Sequence, residues 1–138
     1  MSFDLIRKAL DSRLVTLPGW PANRIAWPNV PYKPLGDETY LQVSLAASEP
    51  RQADIGTTGR NRQRGLYTVS IVSPWGEGMG GPLMIADDLC DLFPRGLDLP
   101  VTGFVVTIIK AWAAPSFTRD SWLVTPVAIT WEAFTPPN

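Results

Sequence analysis

The sequence predicts an α+β fold: a mainly antiparallel sheet, with a mixed sheet as the open alternative, two helices on one of its faces, and a long arginine-rich β-hairpin arm. Three observations lead to this prediction. Two segments have apolar residues at helical spacing, four segments alternate as strands do, and their order is helix, strand, strand, helix, strand, strand. At 138 residues, the chain is expected to form one domain, residues 1–138.

The first segment, Met1–Leu14, is predicted to be an amphipathic helix because its apolar residues recur at helical spacing. Its apolar face comprises Phe3, Ile6, Leu10 and Leu14, with Leu5 and Ala9 beside them. Prolines are frequent between residues 18 and 34, and they exclude a long helix there. The proline-rich stretch is therefore predicted to be an ordered loop with a short extended piece around Arg24–Trp27.

Two alternating segments, Thr39–Ser48 and Leu66–Ser73, are predicted to pair as a hairpin. The residues expected to share a face are Leu41, Val43, Leu45 and Ala47 in the first strand, and Tyr67, Val69 and Ile71 in the second. Between the strands lies Glu49–Gly65, which is too long for a tight turn and is rich in glycine, arginine and other polar residues. We therefore expect an extended, mobile arm at this position.

A glycine-rich break, Pro74–Gly81, separates the hairpin from a second helix and further strands. The helix is predicted over Pro82–Phe93, since proline suits a first turn and another proline follows the segment. Two later strands are predicted: Leu97–Thr102 leads into the first, Phe104–Trp112, and the second is Trp122–Trp131. Pro126 lacks an amide donor, so the last strand is predicted either to lie at a sheet edge or to break there.

The composition excludes several classes of chemistry. The chain has no histidine and one cysteine, Cys90, so it has no Ser-His-Asp triad, histidine metal ligand, intrachain disulfide or C-x-x-C pair. Cys90 is predicted to be a small core residue, because no histidine can activate its thiol. The net charge of −1 provides no general field that would attract nucleic acid or an anionic membrane. We expect a soluble protein without catalytic residues, metal ligands or a cofactor.

Two short motifs resemble ligand sites but lack the context that such sites need. The GEGMGG segment, Gly76–Gly81, matches G-x-G-x-x-G, yet Glu77 would oppose a pyrophosphate and no further βα units follow. The segment Asp87–Asp91 matches the D-D-x-x-D motif that binds magnesium in much larger helical enzymes. We interpret the first motif as a strand-to-helix connection and the second as a solvated or partner-facing helix stripe.

The near-neutral total charge conceals two separated and opposite patches. The basic patch comprises Arg51, Arg60, Arg62 and Arg64, and the acidic patch comprises Asp87, Asp88 and Asp91. Complementary patches within one chain allow a head-to-tail ring, in which the arm of one subunit meets the second helix of the next. These seven residues are our candidate interface. A solvated polar loop and a nucleic-acid contact are the alternatives, although the arm has no aromatic residue for base stacking.

Five segments, in this order, resemble the phage tail-terminator-like family of long-tailed bacteriophages and prophages. The segments are Ile25–Pro34 (IAWPNVPYKP), Tyr40–Val43 (YLQV), Gly65–Val69 (GLYTV), Pro74–Gly78 (PWGEG) and Leu92–Gly96 (LFPRG). The resemblance implies a small α+β subunit that assembles into a ring, typically a hexamer, on the head-proximal end of the tail tube. Such a ring ends tube polymerisation and presents a surface for head-tail joining, and no catalysis is implied.

The resemblance also implies the partners and the location. The expected partners are further copies of the chain, the tail tube protein and a head-completion or connector protein, with no membrane and no sequence-specific nucleic acid. The expected location is the virion tail, with the host cytoplasm during assembly, and the free protein is expected to be a monomer or a weak oligomer. Two alternatives stay open: another head-tail connector or minor tail protein, and a small nucleotide- or nucleic-acid-binding domain.

Overall fold

The computed structural model describes residues 2–20, 24–34, 38–48, 51–52 and 60–136, and these residues form two helices and eight strands. The helices are α1 (Ser2–Leu14) and α2 (Gly80–Leu92). The strands are β1 (Ile25–Ala26), β2 (Tyr40–Ala47), β3 (Arg51–Gln52), β4 (Asn61–Pro74), β5 (Asp98–Val101), β6 (Phe104–Ala113), β7 (Phe117–Arg119) and β8 (Trp122–Thr135). No helix within the described residues is long and apolar enough to cross a membrane.

All eight strands belong to one sheet, in which the order is β1-β2-β4-β8-β6-β5. The short strand β3 pairs with β4, and β7 pairs with β8. Only the pairing of β1 with β2 is parallel among these strands, so the sheet is mixed but mainly antiparallel, as predicted. The predicted hairpin is confirmed, with Tyr40 opposite Val72 at one end and Ala47 opposite Gly65 at the other.

Both helices pack on the same face of the sheet, which confirms the predicted α+β arrangement. In α1, Ile6, Leu10 and Leu14 are buried at the four-residue spacing of one helix face. The other main members of this core are Ala86 and Leu89 of α2, Tyr67, Val69 and Ile71 of β4, and Val127, Ile129 and Trp131 of β8. Alternate residues of the long strands therefore face the helices, and the residues between them face the opposite side.

The second helix begins at Gly80, earlier than the predicted start at Pro82. Pro82 lies in the first turn, where amide groups have no partner within the helix, so the missing donor leaves the helix intact. The inner side of α2 is apolar, and the helix ends at Leu92, just before Phe93. The predicted position of Phe3 on the buried face of α1 is wrong, since its side chain is exposed.

The prediction for Pro126 is also wrong, because β8 lies centrally between β4 and β6 and runs unbroken through this residue. The carbonyl oxygen of Pro126 accepts a hydrogen bond of 2.8 Å from the amide of Ala114, where the chain passes from β6 to β7. In an antiparallel strand, the N–H and C=O of one residue point to the same neighbour. The missing donor of Pro126 therefore points toward Ala114, just after the end of β6, and not toward β4, so the pairing of β8 with β4 is kept.

The predicted arm, Glu49–Gly65, is described only in part. The backbone of Arg51 in β3 lies opposite Arg62 in β4, so the two sides of the segment pair as a hairpin here. Asn61–Gly65 is paired strand and not loop, because β8 is long enough to pair with this part of β4. Residues 53–59 lie outside the described residues, so the extended, mobile arm stays a prediction.

Candidate assembly surfaces

Three of the four predicted interface arginines gather on the outer face of the sheet, the face without helices, while the fourth lies in β3. Arg62 and Arg64 alternate with the core-facing residues of β4, so both project outward. Their Nε atoms lie 3.2 and 3.3 Å from Oε1 of Glu132. The guanidinium of Arg60 lies 5.1 Å from the centre of the Phe134 ring. Arg62 and Arg64 share the single carboxylate of Glu132, so these three side chains together carry a net positive charge on the outer face.

The predicted aspartates lie on the other side of the molecule. Asp87, Asp88 and Asp91 are exposed on α2, opposite the helix side that packs on the sheet through Ala86 and Leu89. The sheet therefore separates the aspartates from the outward-facing arginines, and the two sets do not meet within one chain. Their approach to each other in an assembly stays a proposal.

Large apolar side chains are exposed beside the arginines, and the sequence analysis missed them. Leu66, Trp112 and Phe134 all project to the outer face, and each is between 37 and 39 % exposed. The Nζ of Lys110 lies 4.7 Å from the centre of a Trp112 ring. The outer patch comprises Arg62, Arg64, Leu66, Lys110, Trp112 and Phe134. The sequence could have indicated this patch, because in β6 and β8 large apolar residues occur both among the residues that face the helices and among those that face outward. Neither face of these strands is therefore wholly polar.

Exposed apolar residues also precede the aspartates on α2. Leu83 is 45 % exposed and Met84 is 70 % exposed, and both lie on the outward side of the helix. The α2 stripe comprises Leu83, Met84, Asp87, Asp88 and Asp91, which share one side at helical spacing. This stripe is apolar at its beginning and acidic at its end.

The end of the outer face that lies away from the arginines is covered by aromatic side chains. Tyr40 packs with Val72 and Val124, both of which are buried. The rings of Tyr32 and Tyr40 have centroids 4.9 Å apart, and those of Tyr40 and Trp122 are 5.6 Å apart. The outer face thus has a covered end and an open end, and the outer patch is the open end.

The GEGMGG segment connects β4 to α2, as predicted. Gly76 and Gly78 have φ angles of 95° and 80°, which glycine adopts without steric strain. These two glycines are therefore explained by the turn itself, without a bound phosphate. Trp75, the residue before the turn, is 63 % exposed.

Cys90 lies half-buried against the main core, in agreement with the sequence prediction. Burial raises the pKa of its thiol, and the nearby carboxylates of Asp87 and Asp91 raise it further. The thiol is therefore disfavoured as a nucleophile. Among the residues that the structure describes, no group of three or more Asp, Glu, Cys or His side chains could hold a metal ion.

Three hydrogen-bonded ionisable side chains join α1 to the sheet. The hydroxyl of Tyr67 donates a hydrogen bond of 2.6 Å to Oδ1 of Asp11, and Arg7 donates one of 3.2 Å to Oδ2. Burial raises the pKa of Asp11, although both hydrogen bonds oppose this effect. Burial and the bond to Asp11 raise the pKa of Tyr67 as well. Since these groups form hydrogen bonds with one another, we assign them a structural role, which is to hold α1 against the sheet.

Comparisons with known proteins agree with the geometry of a small α+β subunit. Residues 5–131 match the family model described as phage tail terminator protein. One solved structure has 28 % sequence identity to this chain, with a TM-score of 0.72. The match covers 100 % of this chain and 99 % of that one. No curated protein matches the sequence.

Proposed function

The chain belongs to the phage tail terminator family, and from this premise we propose that it forms a ring that caps the head-proximal end of the tail tube. Membership makes it a structural protein of the phage tail that interacts with other tail or head components. The ring would end tube polymerisation and offer the surface for head-tail joining. The observation that carries the proposal is that one subunit presents oppositely charged surfaces on opposite sides of its sheet.

Two different complementary surfaces make a head-to-tail interface, which closes into a ring when the rotation between neighbours allows closure. Here the positive surface holds Arg60, Arg62 and Arg64. The negative surface holds the exposed aspartates of α2. We propose that contact between these surfaces joins neighbouring copies, and that the ring is a hexamer, as the family resemblance implies.

A cap must also avoid uncontrolled pairing of its sheet edges. The edge strand β5 contains Pro100, and the other edge strand, β1, has two residues. The amide of Ile108 donates a hydrogen bond to the carbonyl oxygen of Leu97, so the backbone polar groups of Leu97 face β6. Successive residues of a strand direct these groups to alternate sides, so those of Pro100, three residues later, face away from β6. An outward-facing proline offers no amide donor to another strand, which favours an assembly made through side chains.

We infer that this protein acts by binding other copies and other tail or head proteins, and not as an enzyme. The thiol of Cys90 has a raised pKa, and the perturbed pair of Tyr67 and Asp11 is used to hold α1 on the sheet. The free protein is proposed to be a monomer or a weak oligomer that completes its ring on the tube end. The tube end would then raise the local concentration of subunits.

Native mass spectrometry of the purified protein with purified tail tubes tests this proposal. A fixed number of copies bound per tube, independent of tube length, supports capping. Binding in proportion to tube length, or no binding to tubes, contradicts it. Binding to the head-completion protein alone would favour another connector component, and retention on a DNA column that falls steeply with salt would favour nucleic-acid binding.

A further inference from the structure

The outer patch is an incompletely covered sheet surface. An antiparallel sheet can leave one face in water when that face is polar. Here Leu66 and Trp112 are exposed among the basic side chains, and Phe134 lies beyond them at the arginine end. Exposed apolar side chains grouped within a charged surface mark a site of interaction with another protein. The question is which surface covers it.

The α2 stripe has the complementary character. It begins with Leu83 and Met84 and continues with aspartates, whereas the outer patch runs along β4 from Leu66 to Arg64 and Arg62. Along β4 and along α2, each run of residues therefore starts with apolar side chains and ends with charged ones, and the charges are opposite. Lys110 and Phe134 flank the run of β4 on the neighbouring strands. Opposite charges at matched positions fix both the partner and its orientation.

The two surfaces also have similar lengths. Four strand residues separate Leu66 from Arg62, a distance of about 13 Å along β4. Eight helical residues separate Leu83 from Asp91, a distance of about 12 Å along α2. A helix that lies along this strand can therefore place its apolar turn on Leu66 and Trp112 while its aspartates reach the arginines.

We propose that α2 of one copy lies along β4 on the outer patch of the next copy, with Leu83 and Met84 against Leu66 and Trp112. This inference rests on the proposed function in one respect, namely that copies of the chain assemble. It goes further because it replaces a contact of the arm with a helix-on-sheet contact that has an apolar centre. The sheet separates the two surfaces in each chain, so this contact forms only between copies.

Cysteine crosslinking tests the contact directly. In a Cys90→Ser background, Met84→Cys is combined with Leu66→Cys, and the protein is oxidised both free at high concentration and bound to tail tubes. The two residues are exposed, so the substitutions should leave the fold intact. We expect a ladder of covalently joined copies on a denaturing gel. The matched control combines Met84→Cys with Val15→Cys, because Val15 is 45 % exposed but follows α1 on the helix side.

A ladder from the Met84–Leu66 pair, with little from the control pair, supports the inference. No ladder in either setting, or equal ladders from both pairs, overturns it. The crosslinking result and the tube-capping result can be distinguished from each other. Tubes that are capped without a ladder reject only this contact, and a specific ladder from a protein that does not cap tubes rejects only the proposed function.

Discussion

Position 65 requires glycine because its backbone is in close contact with a side chain far along the sequence. A Cβ at this position would lie 2.7 Å from Cε2 of Trp131 and would overlap the carbonyl oxygen of Ala46. The indole of Trp131 is buried against the glycine backbone. The sequence identifies Gly65 only as part of a short motif. Its partner depends on the register of β4 with β8, which the sequence alone does not provide.

We expect Gly65→Ala to lower the free energy of unfolding by about 2–3 kcal/mol, because the methyl group overpacks a closed contact. Urea unfolding followed by tryptophan fluorescence measures this change. Gly81→Ala is the matched control, since Gly81 lies in the first turns of α2 with open space around it. The control should be neutral or more stable by up to about 1 kcal/mol. Equal stability of Gly65→Ala and the unaltered protein would contradict the packing.

Asp11 gives a prediction about pH. Burial raises its folded-state pKa above its ordinary value of 3.8. Its contribution to stability is therefore fully present below pH 3.8 and is lost as the pH rises through the folded value. Asp11→Asn removes this titration while it keeps an acceptor for the hydroxyl of Tyr67.

The stability of the Asp11→Asn variant, relative to the unaltered protein, should therefore be higher at pH 7 than at pH 3. Urea unfolding of both proteins across this range measures the difference. Asp4→Asn is a useful comparison, because the pKa of Asp4 is lowered by hydrogen bonds from Arg7 and Lys8 and the trend should reverse. A relative stability of Asp11→Asn that falls as the pH rises would rule out the proposed cause.

Among the elements, both helices, the long strands and the short strands β1 and β5 were predicted from the sequence, whereas β3 and β7 were not. Helical spacing located both helices and alternation located β2 and β4, because burial of one face imposes these patterns. Runs rich in apolar and β-branched residues located β6 and β8. Strands such as β3 and β7 exist through their pairing with β4 and β8, and their own residues carry no pattern. The role of Pro126 was misjudged because its effect depends on which neighbour its missing amide faces.

Pro100, and not Pro126, is the proline that protects an edge. We expect Pro100→Thr to expose an outward amide on β5 and to increase association that depends on concentration. Light scattering over a range of protein concentrations measures the average mass. Pro126→Thr is the control, because its new amide would face Ala114 within the sheet and not an open edge. Equal masses for Pro100→Thr and the unaltered protein would contradict this role.

At the scale of the whole molecule, the sequence predicted two opposite charge patches but not their arrangement. The sides on which Arg62 and Asp87 lie are set by strand alternation and by the packing of α2. The exposed apolar residues were missed because β6 and β8 have apolar residues on both faces. Such a sequence does not show which face is covered by other parts of the protein and which is open to solvent. The tertiary structure was needed to make that distinction.

We expect the triple variant Arg60→Glu, Arg62→Glu and Arg64→Glu to weaken assembly at least about tenfold, equivalent to about 1.4 kcal/mol, and to leave the monomer folded. Light scattering at low ionic strength measures assembly, and circular dichroism checks the fold. Glutamate at the exposed Lys8, Lys33 and Arg95 makes the same charge change elsewhere and serves as the control. Arginine at Asp87, Asp88 and Asp91 should restore assembly of the triple variant. Unchanged oligomer size in the triple variant would contradict the charge pairing.

The central claim, that this chain stops tube growth, is tested most directly by tube elongation in vitro. Tail tube protein from the same phage is polymerised with and without the purified protein, and tube lengths are measured by electron microscopy over time. The account predicts that saturating protein halts growth at one end, and that the triple glutamate variant halts it less. Tubes that lengthen at the same rate, and to the same final length, with and without the protein would contradict it.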